Sequence, residues 1–320
     1  MSVFLAVVRR ILSMIVTLLG VSAIIFIVLR LLPGNAVTAA MGVSEGLLTK
    51  AQIAALDKYY GVGQPALQQY FSWLHATLTG NLGVSLVSRS PVSTLIGTAL
   101  PVTLELAFFA MVIGILIGVG FGVWSALHPG RWQDDLGQGV SVVGLAIPTF
   151  ILGTLLVVIM SSKFHYFPSS LPFVGIATNP WLNFQQIIFP ALVLSLGIGA
   201  AILRTTRAAV LEVENLNFAR TALGKGVSRR AFVWRHLFLN ALTAVVTTSG
   251  IQLGYLLGGT VIIEQIFILP GMGRLLITSI GNRDFPVVQS VTLIFAAGFV
   301  IVNMVVDLCY SLIDPRTRKR

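Results

Sequence analysis

The chain has 320 residues, of which 56% are hydrophobic and 10% charged, with a mean hydropathy of +0.90 and a formal net charge of +10. A soluble domain carries roughly 25% charged residues, so this composition excludes an ordinary water-soluble globule and leaves two structures that lipid tolerates, apolar helices of about 20 residues or a closed barrel. The apolar runs are long and unbroken rather than alternating, which excludes the barrel, and basic residues flanking such runs read as an orientation signal rather than as a nucleic-acid surface.

In chain order, six spans are expected, at 10–30, 102–125, 139–160, 187–205, 241–263 and 287–312. Arg9 and Arg10 precede the first, whose apolar stretch from Ile11 to Leu29 is too long for a secretion signal and has no small-residue cleavage pattern close behind it, so it is expected to be retained. With the N-terminus inside, 14 of the 21 basic residues fall on the cytoplasmic side, the sign expected for both termini in the cytoplasm. The long outer segment 31–101 carries helix punctuation. Thr49 and Gln52 have the spacing of a capping box, with Gly61 as a stop. Pro65 can open a second helix whose Leu67, Tyr70, Phe71, Leu74 and Leu78 share a face near Trp73, suited to the outer membrane surface or to the chain's own spans.

Glycines recur every four residues at Gly114/Gly118/Gly122 and Gly250/Gly254/Gly258, the spacing that lets helices approach closely in lipid. The 161–186 segment, with Phe164, Tyr166, Phe167, Pro168, Pro172, Pro180 and Trp181, reads as an irregular outer loop. The 204–240 connection reads as two short helices split at Gly224 and Gly226, with Ser228 as N-cap of the second. That shape fits either a docking element or a helix lying at anionic lipid. From 264 to 286, short apolar stretches broken by Pro270, Gly271 and Gly273 predict a re-entrant or pore-capping loop.

Chemistry-bearing residues are sparse. Glu105 and Asp307 lie near the ends of spans, where structural hydrogen bonds are the expected role. Cys309 stands alone in the last apolar run, so neither a disulfide framework nor a CxxC metal pattern is present. His75, His128, His165 and His236 fall in loops, no HExxH occurs, and no GxxxxGK[ST] phosphate loop occurs. An intramembrane enzyme is therefore disfavoured. An ion-coupled secondary transporter, the remaining alternative class, would place ionisable groups at the midplane or break paired helices.

Asn217-Phe218-Ala219-Arg220-Thr221-Ala222-Leu223-Gly224-Lys225-Gly226, followed by Arg235-His236 and Asn240-Ala241, resembles the EAA loop of binding-protein-dependent ABC importer permeases, in the form used by the peptide branch. Arg220 and Thr221 stand where the general pattern has Glu and Ala, Ala222 is its second Ala, and Gly226 its fixed Gly. The resemblance extends along the chain in order. It takes in Leu32-Pro33-Gly34-Asn35, Gly80-Asn81-Leu82-Gly83-Val84-Ser85, Pro91-Val92, Leu100-Pro101-Val102-Thr103-Leu104-Glu105-Leu106 and Ile147-Pro148-Thr149-Phe150. Further on come Glu264 through Arg274, Arg283-Asp284-Phe285-Pro286-Val287-Val288 and the closing Asp307 through Tyr310 with Asp314-Pro315-Arg316. The order is similar to the B-type permease of dipeptide and oligopeptide importers.

That resemblance implies an all-α polytopic membrane protein of the bacterial inner membrane with a type I ABC importer permease fold. Residues 1–320 would form one permease domain: the first span at 10–30, the extracytoplasmic segment 31–101, a five-span core at 102–312 containing the coupling loop 206–240, and the cytoplasmic tail 313–320. It implies no cofactor in this chain, with ATP and Mg on two partner ATPase subunits, a homologous second permease, an extracytoplasmic substrate-binding protein, surrounding lipid and no nucleic acid. Arg220, Thr221, Ala222, Lys225 and Gly226 would couple to an ATPase, and Glu264, Pro270, Gly271, Met272 and Gly273 would serve as an outer gate or binding-protein contact. Family members carry dipeptides, oligopeptides, glutathione or chelated nickel. A nearly uncharged pathway fits selectivity residing in the binding protein.

Overall fold

A computed structural model describes residues 3–31, 65–165 and 172–313, with side chains of 8–29 and 285–306 in the first and last helices. Thr49, Gln52 and Gly61, the Leu32-Pro33-Gly34-Asn35 landmark, Asp314-Pro315-Arg316 and the side chains of Asp307 and Cys309 lie outside the described residues. The described helices are α1 (Val3–Leu31), α2 (Ala66–Leu78), α3 (Val92–Ala126), α4 (Trp132–Ala146), α5 (Thr149–Phe164), α6 (Pro180–Glu214), α7 (Asn217–Gly224), α8 (Arg229–Ile266), α9 (Met272–Gly281) and α10 (Phe285–Ile313). Among the described residues no strand forms, and one antiparallel bridge joins Val84 to Pro91.

Five helices, α1, α3, α6, α8 and α10, are long and apolar enough to cross a membrane alone, and α4 with α5 makes the sixth only as a pair bent by 95°. The straight span expected at 139–160 is thus corrected to a broken one. Pro148 has no N–H to give the helix ladder, and its ring drives the preceding residue out of the helical region. Ile147 accordingly sits at φ −87, ψ 119. Helices α3 and α6 have 35 residues each, longer than the spans drawn from hydropathy, because their ladders continue past the apolar stretch and through Pro101 and Pro190.

The 204–240 connection is also shorter than expected. Helix α6 runs on to Glu214 and α8 begins at Arg229, leaving 215–228 with α7 inside it. The second short helix expected after Gly226 is instead the start of the 38-residue α8, and its residues Phe232–Phe238 are wound as π-helix. Ser228 occupies the N-cap position (φ −60, ψ 145), but its side chain makes no capping bond. In place of an irregular loop, 264–286 contains the ten-residue α9.

The chain divides into two compact units, Met1–Val102 with Pro270–Val300 and Thr103–Leu269 with Ile301–Arg320. In the first, Val92, Ile96 and Ala99 of α3 pack with Met272 of α9 and Val287 and Val291 of α10. Their spacing of three to four residues within a helix is that of a single helical face. Helix α2 rests against α1 through Tyr70, whose hydroxyl lies 2.8 Å from Ser22 Oγ and whose ring meets Phe26 edge-on at 5.2 Å. Leu67, Phe71 and Leu78 remain exposed, so α2 combines packing on the chain's own helix with an outward apolar face.

In the second unit the glycine stripe of α3 meets a matching row on α6. A Cβ at Gly114, Gly118 or Gly122 would come within 2.8, 2.7 or 2.6 Å of Ile198, Ile202 or Thr206 respectively. Both rows step by four residues, so ridge and groove run in register. In α8 the stripe is only partly used. A Cβ at Gly250 would overlap Val306, whereas one at Gly258 would meet nothing within 4 Å.

Candidate functional site

Helix α7 has eight residues, too few to be stable alone in water, so packing must hold it. Its inward face is two alanines three residues apart, Ala219 and Ala222, at 0% and 7% exposure. They sit in a cluster with Val123 and Ala126 of α3, Val210 and Val213 of α6, and Phe232, Val233 and Leu237 of α8. Small side chains here let the α7 backbone lie close against three helix ends. The opposite face presents Arg220 and Thr221, with Phe218 and Leu223 exposed at 40% and 46%.

A Schellman motif closes α7. Gly226 N–H donates to Leu223 O at 3.0 Å, Val227 N–H donates to Ala222 O at 3.4 Å, and Gly226 has φ +76. Val227 then packs on the same cluster as the alanines, the apolar contact that accompanies this motif. The turn anticipated at the Gly224/Gly226 split is therefore present, with Gly226 as its left-handed residue. Arg220, Thr221, Lys225 and Gly226 are exposed on one short element, while Ala222 is buried beneath it.

The expected gate residues fall in different units. Glu264 of α8 is fully buried and accepts a hydrogen bond from Thr103 Oγ1 at 2.6 Å, so Thr103 and Glu264 of two quoted landmarks form one contact. Pro270 to Gly273 belong to the other unit. There Pro270 is exposed and Gly271 caps α9 at φ −92, ψ 179, whereas Met272 is at 0% exposure in the core. Exposed positions of this segment are instead Ile277, Thr278 and residues 280–283.

Two carboxylates carry more structure than the sequence reading gave them. Asp284 accepts from Ser85 Oγ at 2.5 Å and from Leu86 N–H at 3.1 Å, tying the Gly80–Ser85 landmark to the Arg283–Pro286 one. Asp134, 3% exposed, accepts Arg207 Nε at 2.5 Å and Nη2 at 2.8 Å, Ser125 Oγ at 2.7 Å and Gly130 N–H at 3.2 Å. Each carboxylate oxygen thus accepts two hydrogen bonds, one of them from the Arg207 guanidinium, which is what makes burying this charge tolerable. Asp134 lies in the first turn of α4, and nothing near it in the sequence marks its partner on α6. Near the 161–186 segment, Asn183 Nδ2 donates to Val174 O and Gln186 Nε2 to Pro172 O, both at 3.0 Å, anchoring the irregular chain to α6.

Against known proteins, the profile described as "Binding-protein-dependent transport system inner membrane component" matches residues 118–319, and its N-terminal companion matches residues 1–107. The chain is 36% identical over 313 residues to the glutathione transport system permease protein GsiC of Salmonella typhimurium (strain LT2), covering 98% of both chains. It is 35% identical over the same length to the protein of that name from Escherichia coli (strain K12), again covering 98% of each. Among solved structures, an amino acid ABC transporter crystallised with histidines matches with a TM-score of 0.52 at 15% identity, over 68% of this chain and 94% of that one, a likeness of fold.

Proposed function

This chain belongs to the family of binding-protein-dependent transport system inner membrane components, and from that premise we propose that it imports small peptides, with glutathione the leading solute. It is a multi-pass ABC importer permease subunit of the inner membrane, a family that works with a second permease, ATPase subunits and a solute-binding protein. The observation that carries the solute is identity along 98% of the chain to permeases named for glutathione transport.

In this reading α7 is the coupling helix. Arg220, Thr221 and Lys225 would face a cleft in an ATPase, Ala222 would seat the helix, and Gly226 would fix its exit. Its buried alanine face and closed C-terminus support the assignment, since a docking element must be rigid against the spans it moves. ATP and Mg would sit on the partner ATPases, because this chain has no phosphate loop. The bias of basic residues supports cytoplasmic termini, with α7 on the inner side and α9 on the outer. The binding protein would then meet the exposed end of α9 and Pro270 rather than Met272, with Glu264 holding its helix to Thr103.

The test uses one strain. Deleting this subunit abolishes uptake of radiolabelled glutathione, re-expression restores it, and the tagged chain brings down ATPase subunits. Undiminished uptake after deletion overturns the solute, and purification free of any ATPase overturns the docking role.

A further inference from the structure

We propose that a cavity between α4 and α6 binds the carboxylate end of the transported peptide, with Arg204 as its anion contact; this rests on the peptide reading above. The cavity holds about 550 Å³, within the roughly 300–1,000 Å³ of small-molecule sites. Its lining changes along its length. Val142, Leu145 and Ala146 make one end apolar, whereas Gln138 of α4 and Arg204 of α6 make the other polar. On α4 these residues step by four, seven and eight from Gln138, which puts them along one helix face.

Two arginines one turn apart on α6 line the polar end, and they are not equivalent. Arg207 is engaged by the Asp134 carboxylate through both Nε and Nη2. Arg204 is exposed and has no acidic or hydrogen-bond partner among the described residues. A guanidinium offers a rigid fork that matches a carboxylate in two parallel bonds. Ser141 is not available as a further contact, since its hydroxyl donates to Ala200 O at 3.1 Å. Gln138 is exposed and brings both a donor and an acceptor.

A short peptide matches each feature: a terminal carboxylate for Arg204, backbone amides for Gln138, and side chains or methylenes for the apolar end. A phospholipid phosphate would satisfy Arg204 but has no amide to offer Gln138. The peptide is therefore the occupant the lining favours.

The experiment reconstitutes the complete importer in nanodiscs of phosphatidylcholine, alone or with phosphatidylglycerol, and follows alkylation of Val142→Cys introduced into a Cys309→Ser background. S-methylglutathione is the probe, because it carries the peptide's carboxylates and no free thiol. It is expected to slow alkylation in both lipid compositions, with Arg204→Gln raising the protecting concentration about tenfold and Arg204→Lys, which keeps the charge without the fork, restoring only part of it. Protection unaffected by Arg204→Gln, or given by phosphatidylglycerol without the probe, overturns the site as a peptide contact. Uptake of the probe without protection overturns the site and leaves the peptide reading intact. Absence of uptake by the unsubstituted complex overturns the peptide reading, and the site with it.

Discussion

Gly226 has φ +76 at the end of α7, and a Cβ placed there would meet nothing within 4 Å. The constraint is therefore on backbone conformation, and it predicts an unusual ranking of substitutions. A β-branched residue forced into the left-handed region costs about 1–2 kcal/mol, enough to shift the exit of an eight-residue helix. Asparagine enters that region more readily. Gly226→Val is expected to insert normally but lose most uptake and ATPase co-purification, while Gly226→Asn keeps both near the unsubstituted level. Equal uptake by the two variants would remove the turn from the coupling argument. Gly226 was legible in the sequence because glycine in a turn announces its conformation. Asp134 was not, because its role depends on Arg207, 73 positions away, and pairing at that distance leaves no local pattern.

Helices α3 and α6 meet through a row of glycines, and Gly120, on the same helix, serves as an internal control. A side chain at Gly118 would run into Ile202 and the Gly199 carbonyl, whereas one at Gly120 would find open space. Overpacking of this kind costs about 1–3 kcal/mol. Gly118→Val should lower the thermal stability of the purified complex in detergent and its level in the membrane, and Gly120→Val should change neither. Identical behaviour would mean that the two helices do not pack along this stripe in the assembled protein. The stripe could be read in advance, since small residues four apart have one common use in lipid. The bend between α4 and α5 could not be read from hydropathy, which averages over a window and passes smoothly across Ile147-Pro148. The same averaging hid the polar ends of α3 and α6. The segment before α9 was read as a loop because proline and glycine dominate it, yet Met272 to Gly281 hold a helix whose first residue is core.

For the whole molecule, orientation is the claim on which the coupling and gate assignments both rest. A reporter active only outside the cytoplasm should be active when fused after Gly80 and silent when fused after Lys225. Activity after Lys225 would reverse the molecule and place α7 where no ATPase can reach it. How α7 is mounted matters as much as which side it is on. Phe232 and Leu237 are both fully buried although five residues apart. In an α-helix, at about 100° per residue, they would point roughly 140° apart; the π winding of Phe232–Phe238 brings them to one side. Phe232 and Leu237 share their cluster with Ala219 and Ala222. Inserting one alanine after exposed Trp234 would add a residue that the winding has not absorbed and turn everything before it by about 100°, whereas deleting Trp234 would let the ladder close as α-helix with Phe232 and Leu237 four residues apart, still on one side. Both variants should still insert, but in the insertion variant α7 would lose its seat, and uptake and ATPase co-purification should fall together while the deletion variant keeps both; wild-type uptake by the insertion variant would refute the mounting. The winding thus takes up one surplus residue as slack instead of passing it on as a rotation, so the proposed docking helix keeps its direction while α8 itself stays where its neighbours hold it.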